Sequence, residues 1–176
     1  MKILYVSQYF PPEMGAPAAR AAELAQHWAQ AGHEVSILTG FPNHPTGIVP
    51  AVWRSRLRRL TYEERAGDVK VFRTWLWPLP NRKAHERIRN YASFCLSSAM
   101  RGLSLPRPDV IIGTSPQLLV ALSGWWLAFV RRVPFVFEVR DLWPESLTAA
   151  ASLNVPPPSV PRSTTSPEDR HSIACI

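Results

Sequence analysis

The stretch "KILYVSQYFPPEMGAPAARAAELAQHWAQAGHEVSILTG", Lys2 to Gly40, decides the fold. "KILYVS" (Lys2 to Ser7) is a short apolar run of the kind that forms a strand buried on both faces. In "APAARAAELAQHWAQAG" (Ala16 to Gly32), Ala18, Ala21, Ala22, Ala25, Trp28 and Ala29 recur at helical spacing. Pro17 suits the first turn of that helix and Gly32 its stop. "HEVSILTG" (His33 to Gly40) is a second strand. Strand, helix and strand in this compass make a βαβ unit with parallel strands and a right-handed crossover. The link between first strand and helix is unusual, because the chain leaves the strand through Pro11 and Pro12 into Gly15 and Ala16. In doubly wound sheets ligands bind beyond the carboxyl ends of the strands, where helix N-termini present N–H groups. Gly15 permits close approach of backbone to a ligand, Ala16 adds little bulk, and the helix dipole favours a phosphate. A lone Gly is also what an ordinary turn uses, and the dinucleotide pattern G-x-G-x-x-G is absent.

Working outward, "FPNHPTGIVPAVWRSRLRRLTYEER" (Phe41 to Arg65) reads as a long irregular stretch, usually functional in a compact domain. A strand is predicted over Asp68 to Trp77 and a helix over Asn81 to Leu103, with Ile88, Tyr91, Ala92, Cys95 and Ala99 on one face. A further strand spans Pro108 to Ser115, a helix Pro116 to Arg132, and a last strand Val133 to Asp141. The pattern predicts five parallel strands with helices on both faces, a doubly wound, Rossmann-like α/β sheet in a single domain. That domain is assigned to 1–149. Residues 150–176 carry five Pro among Ser and Thr without apolar periodicity, and read as a disordered tail.

Composition narrows the classes. With 176 residues and 46% hydrophobic content, one buried core is supported and two ordinary domains are not. Cys95 and Cys175 match no metal or redox spacing, which predicts a reduced chain without disulfides, metal or cofactor. The N-terminal apolar run is too short for a signal peptide, so a cytoplasmic location is expected. The most apolar later run, Leu118 to Val130, is 13 residues, against roughly 20 for a membrane span. Net charge is +7, and Arg54 to Arg101 holds twelve Lys and Arg against four Asp and Glu. Such a block suits an anionic partner or is simply a solvated face. "RSRLRRL" with Trp53 before it mixes ring and charge as an interfacial membrane contact does, through Trp53, Arg54, Arg56, Arg58 and Arg59. Nothing resembles a nucleic-acid module.

Two further constellations stand at strand ends. "FPNHPTG" (Phe41 to Gly47) places His44 in a loop, where it either binds and shuttles a proton or is an idle surface residue. "FEVRDLWPES" (Phe137 to Ser146) ends a strand in Arg140 and Asp141, followed by Glu145. These charges either hold a hydroxyl and transfer protons or form a structural ion pair.

In order and spacing, "KILYVSQYFPPEMGAPAAR", "HEVSILTGFPNHPTG", "DVIIGTSPQLL" and "FEVRDLWPES" resemble the N-terminal half of family 4 glycosyltransferases of the GT-B fold. The resemblance is to bacterial enzymes of surface-polysaccharide synthesis that transfer an N-acetylfucosamine-type amino sugar to a lipid-linked acceptor. It implies the acceptor-binding half of a retaining transferase, with a nucleotide-sugar as donor substrate and a glycan or polyprenyl-diphosphate as acceptor. Gly15 and Ala16 match the loop that approaches the donor diphosphate. Asn43, His44, Arg140, Asp141 and Glu145 match the acceptor side, with Asp141 and His44 as catalytic candidates. The basic, Trp-rich region implies a peripheral place on the inner membrane face. Where many relatives carry a His near the reacting sugar, this chain has Thr114 and Ser115, and neither is given that role. The donor-binding C-terminal domain of the family is not in the 176 residues, so activity is expected only with a separately encoded donor domain. The alternative is a truncated, noncatalytic remnant that binds anionic lipid or lipid-linked sugar. A nucleotide-dependent oxidoreductase is disfavoured, since Thr39-Gly40-Phe41 stands where an acidic ribose ligand belongs.

Overall fold

The computed structural model of the chain describes residues 1–80, 82–115 and 118–139. Along the chain come β1 (Lys2–Val6), α1 (Ala16–Gln30), β2 (Glu34–Gly40), α2 (Ala51–Leu57) and β3 (Thr61–Ala66). They are followed by β4 (Val69–Thr74), α3 (Ala84–Ser104), β5 (Val110–Thr114), α4 (Leu118–Arg131) and β6 (Phe135–Glu138). One sheet runs in the order β3-β4-β2-β1-β5-β6. The five strands expected from the sequence are parallel, and β3 pairs antiparallel with β4 at the edge.

Alternation along the strands sends side chains to two cores. Tyr5, Val35, Ile37 and Val71 face α1, whose Ala21 and Ala25 let it lie close to the sheet. Leu4, Val6, Leu38 and Ile111 face α3 and α4, meeting Phe94, Val120 and Leu127. Each such buried Leu, Ile or Phe contributes roughly 1.5–3 kcal/mol relative to exposure. Gly102 lets α3 and α4 touch, since a Cβ there would sit 2.4 Å from Leu127 Cδ1. Pro17 lies in the first turn of α1, and Gly32 follows that helix at φ 84°.

The stretch from Phe41 to Arg65 departs from expectation. It holds α2 and β3, the latter joined to β4 by a two-residue turn with Gly67 at φ 62°. As an edge strand, β3 alternates only between exposed and half-buried positions, so its "YEER" looks like loop in sequence. The short α2 buries only Trp53, which joins Phe41 and Val49 in a third, small core.

Candidate functional site

The order of the sheet reverses at β1: the chain passes from β1 to β2 on one side and later returns to β5 on the other. A crevice at the carboxyl ends of the strands is the usual ligand site of such sheets. Here two loops form its rim, Ser7 to Gly15 after β1 and Phe41 to Pro50 after β2.

A buried carboxylate ties the loops together. Glu13 Oε1 accepts from the backbone N–H of Asn43 at 2.7 Å and of His44 at 2.9 Å, and Oε2 accepts from Phe10 N–H at 3.4 Å. Burial pushes the Glu13 carboxyl above its ordinary value, against the downward pull of those three amides and of Arg73. Arg73, 1% exposed, comes up from β4 beneath both loops. Its Nη1 donates to Gly40 O at 3.1 Å, its Nη2 to Pro11 O, and its Nε to Glu64 Oε1 at 2.6 Å. The guanidinium also stacks 4.7 Å from the Trp53 ring. Burial works against its charge, and Glu64 chiefly offsets that.

Gly15 caps α1 at φ 144° and ψ 154°, a region that side chains other than glycine's avoid. No side chain caps this helix end, and a Cβ on Gly15 would lie 3.9 Å from His44 Cδ2 and Nε2. The His44 ring in turn leans on Tyr9, centroids 4.9 Å apart. Gly15, Asn43 and His44, singled out far apart in sequence, therefore stand together. Asn43 is 3% exposed and its Nδ2 finds no partner, a buried donor that a ligand oxygen would satisfy. Next to this rim Gln8 Nε2 donates to Asn90 Oδ1 at 2.7 Å while Gln8 Oε1 is likewise unpaired. The arrangement supplies an uncapped helix N-terminus at Gly15, a free amide donor, and an imidazole able to donate or accept.

Other expected residues are placed differently. Ala16 is the exposed first residue of α1. Trp53, expected at a membrane face, is buried because it fills the gap between Phe41 and Tyr62. Arg56 lies over the Trp53 and Tyr62 rings at 4.7 Å, leaving Arg54, Arg58 and Arg59 exposed. Arg140, Asp141 and Glu145 lie outside the described residues, as does the tail. Sequence reasoning missed Glu13 and Arg73. It also missed Glu138, whose Oε2 accepts from Tyr5 OH at 2.8 Å and whose Oε1 pairs with Arg20 Nη2 at 2.9 Å. Burial raises the Glu138 carboxyl, but hydrogen bonds from Tyr5, Arg20 and Thr114 outweigh it and hold it below its ordinary value. Among the described residues no group of three or more His, Cys, Asp or Glu could hold a metal ion.

Fold and site together define a Rossmann-like α/β domain that presents its loops at a topological switch point. The chain belongs to the glycosyl transferase 4-like domain family, whose profile matches residues 15–158. This membership agrees with a single domain of a GT-B glycosyltransferase. WcaI of Escherichia coli (strain K12), assigned to glycosyl transfer in colanic acid biosynthesis, is 28% identical over 146 residues, covering 80% of this chain and 34% of the relative. The chain thus spans about a third of the length of that curated relative. Among solved structures, the C-terminal domain of PF1911 hydrogenase from Pyrococcus furiosus aligns at TM-score 0.49 and 14% identity, over 78% of this chain and 89% of that one. That likeness is too distant to bear on activity.

Proposed function

We propose that this chain is the acceptor-side domain of a retaining glycosyltransferase that moves a sugar from a nucleotide-sugar to a lipid-linked glycan in cell-envelope polysaccharide synthesis. The observation that carries the reading is the meeting of Gly15, Asn43 and His44 at the switch point of a chain in this family. In this reading the amides at Gly15 face the donor diphosphate, and Asn43 Nδ2 binds an acceptor hydroxyl. His44, with Asp141, is the candidate for proton transfer from that hydroxyl. Release of the nucleoside diphosphate calls for positive charge on the donor side, since such stabilisation is usually a large term. Transfer is therefore assigned to the pair of this domain with a donor-binding domain, at the inner face of the plasma membrane. An amino sugar of the N-acetylfucosamine type is the proposed donor.

The test is binding of a short-chain, water-soluble isoprenyl diphosphate-linked sugar by calorimetry, with Asn43→Ala and His44→Ala compared. Saturable binding weakened roughly tenfold by Asn43→Ala, the loss of about one good hydrogen bond, is expected. Binding that both variants retain unchanged refutes the placement. Adding a separately produced donor domain and nucleotide-sugar is expected to yield transfer that His44→Ala depresses.

A further inference from the structure

Beside α3, at the end of the sheet where β3 begins and β4 ends, lies an apolar groove of about 440 Å³. Leu60, Trp75, Leu96 and Met100 line it together with Ser93 and Ser97. Hydroxyls along it are turned to the backbone. Ser93 Oγ donates to Asn90 O and accepts from Trp77 N–H, both at 2.8 Å. Ser97 Oγ donates to Phe94 O at 3.1 Å and to Trp75 O, and Thr74 Oγ1 donates to Thr39 O at 3.4 Å. The one charged residue of the lining, Arg101, pairs with Glu63 and lies over the Phe72 ring, 5.5 Å from its centroid. A sugar or peptide seated here would give up hydrogen bonds to water without replacing them, whereas a hydrocarbon chain gives up none.

The walls say what kind of chain fits. Leu60 stands at φ 63°, a left-handed conformation that disfavours a leucine, and it is 60% exposed. The backbone there calls for glycine or asparagine and the exposure for a polar residue, so contact with something apolar accounts for the leucine. On the α3 wall Leu96 and Met100, each more than 60% exposed, alternate with the shorter Ser93 and Ser97. Its hollows recur one helical turn, about 5.4 Å, apart. Such a scalloped wall suits a chain with regularly placed methyl branches better than a straight one. The groove also adjoins the candidate site. Thr61, Thr74 and Gly40 stand in register on β3, β4 and β2, which places the groove one to two strand spacings, about 5–10 Å, from the start of the second rim loop. Hydrogen bonds bridge that interval: Trp77 O accepts from Asn90 Nδ2 at 2.8 Å, and Asn90 Oδ1 accepts from Gln8 Nε2, in the first rim loop, at 2.7 Å.

We propose that this groove holds the isoprenoid chain of the lipid-linked acceptor while the rim at Asn43 and His44 holds its sugar. The inference deepens the proposed function and rests on it for the identity of the chain, whereas binding of a bare isoprenyl chain needs neither sugar nor transfer.

The experiment is calorimetric titration of the full 176-residue chain with dimethylallyl, geranyl and farnesyl diphosphates, which lengthen by one isoprene unit at each step and carry no sugar. Affinity is expected to rise at least about tenfold per added unit, since an open groove buries part of each unit's carbon. Leu96→Ser with Met100→Ser should remove that dependence, bringing farnesyl diphosphate within about threefold of dimethylallyl diphosphate. Either single variant gives the same test at reduced size should the pair fail to fold. Leu60→Asn should weaken farnesyl diphosphate about fivefold with the thermal unfolding midpoint unchanged or higher, because asparagine tolerates a positive φ. A leucine with only a structural role would lose stability instead. Leu118→Ser, on α4 and outside the groove, should leave binding within about twofold of wild type. Affinity independent of chain length overturns the proposal, as does a folded Leu96→Ser, Met100→Ser variant that binds farnesyl diphosphate as wild type does. Dodecyl phosphate bound as tightly as farnesyl diphosphate overturns it in favour of a general acyl site. A wild type that binds none of these but forms a dimer dispersed by Leu96→Ser overturns it in favour of a second copy. Failure of the functional reading looks different, for then Asn43→Ala leaves the sugar-linked probe bound while the chain-length series persists.

Discussion

Glu13 holds two loops with one carboxylate, and its removal is expected to be felt in both. Glu13→Ala leaves the Asn43 and His44 amides without their acceptor. The expected cost is about 1–3 kcal/mol in urea unfolding, with acceptor binding weakened in parallel. The pH dependence has a definite sign. Burial raises the folded-state value above 4.5, so the folded chain holds this proton more tightly than the unfolded one. The resulting stabilisation is complete below the unfolded value and fades as pH rises through the folded one. Glu13→Gln should flatten that decline when unfolding midpoints are compared across the weakly acid range. Gly15→Ala tests backbone strain rather than space, because the nearest atom to its Cβ is Pro17 Cδ at 3.7 Å. A loss of about 1–3 kcal/mol is expected there. Gly15 was legible in sequence because a turn between strand and helix asks for glycine. Glu13 was not, since a carboxylate in a proline-rich loop looks solvated until a second loop, thirty residues on, folds over it.

Between elements, α3 packs tightly on Leu127 of α4 at Gly102. Gly102→Ala is expected to force the helices apart and to lower stability by about 1–3 kcal/mol despite its better helix propensity, as thermal unfolding will report. The βαβ unit from Lys2 to Gly40 was legible because each element has a period of its own and capping signals at its ends. The hairpin of β3 with β4 was not, for two physical reasons. An edge strand buries neither face fully, and "TYEERAGDVKVF" carries its turn on Gly67 alone amid charges. In the same stretch Trp53 looked like a surface ring, because sequence shows Arg54, Arg56, Arg58 and Arg59 around it but not Phe41 beneath it. The apolar run Leu118 to Val130 showed no sidedness in sequence, whereas on α4 Leu118, Leu122, Trp125 and Phe129 are each more than half exposed and form its outer stripe.

For the whole molecule, five parallel strands follow from alternating strands and helices, whereas their order about β1, the sixth strand and the coupling of the loops needed the fold. The outer face of α4 should weigh little in stability and heavily in behaviour. Trp125→Ser with Phe129→Ser is expected to shift unfolding free energy by less than about 1 kcal/mol while raising solubility, measured as the concentration at which light scattering sets in. The buried guanidinium of Arg73 has a consequence for how such a chain is made. Pro11 and Gly40, which frame the rim, have their carbonyls held by a residue on β4. A nascent chain that has emerged only to Pro50 has Glu13, Gly15 and both loops in hand, but no cation to hold the Pro11 and Gly40 carbonyls beneath them. The rim would therefore acquire its shape during synthesis only once Arg73 has left the ribosomal tunnel, so that competence to bind lags behind the chemistry already displayed.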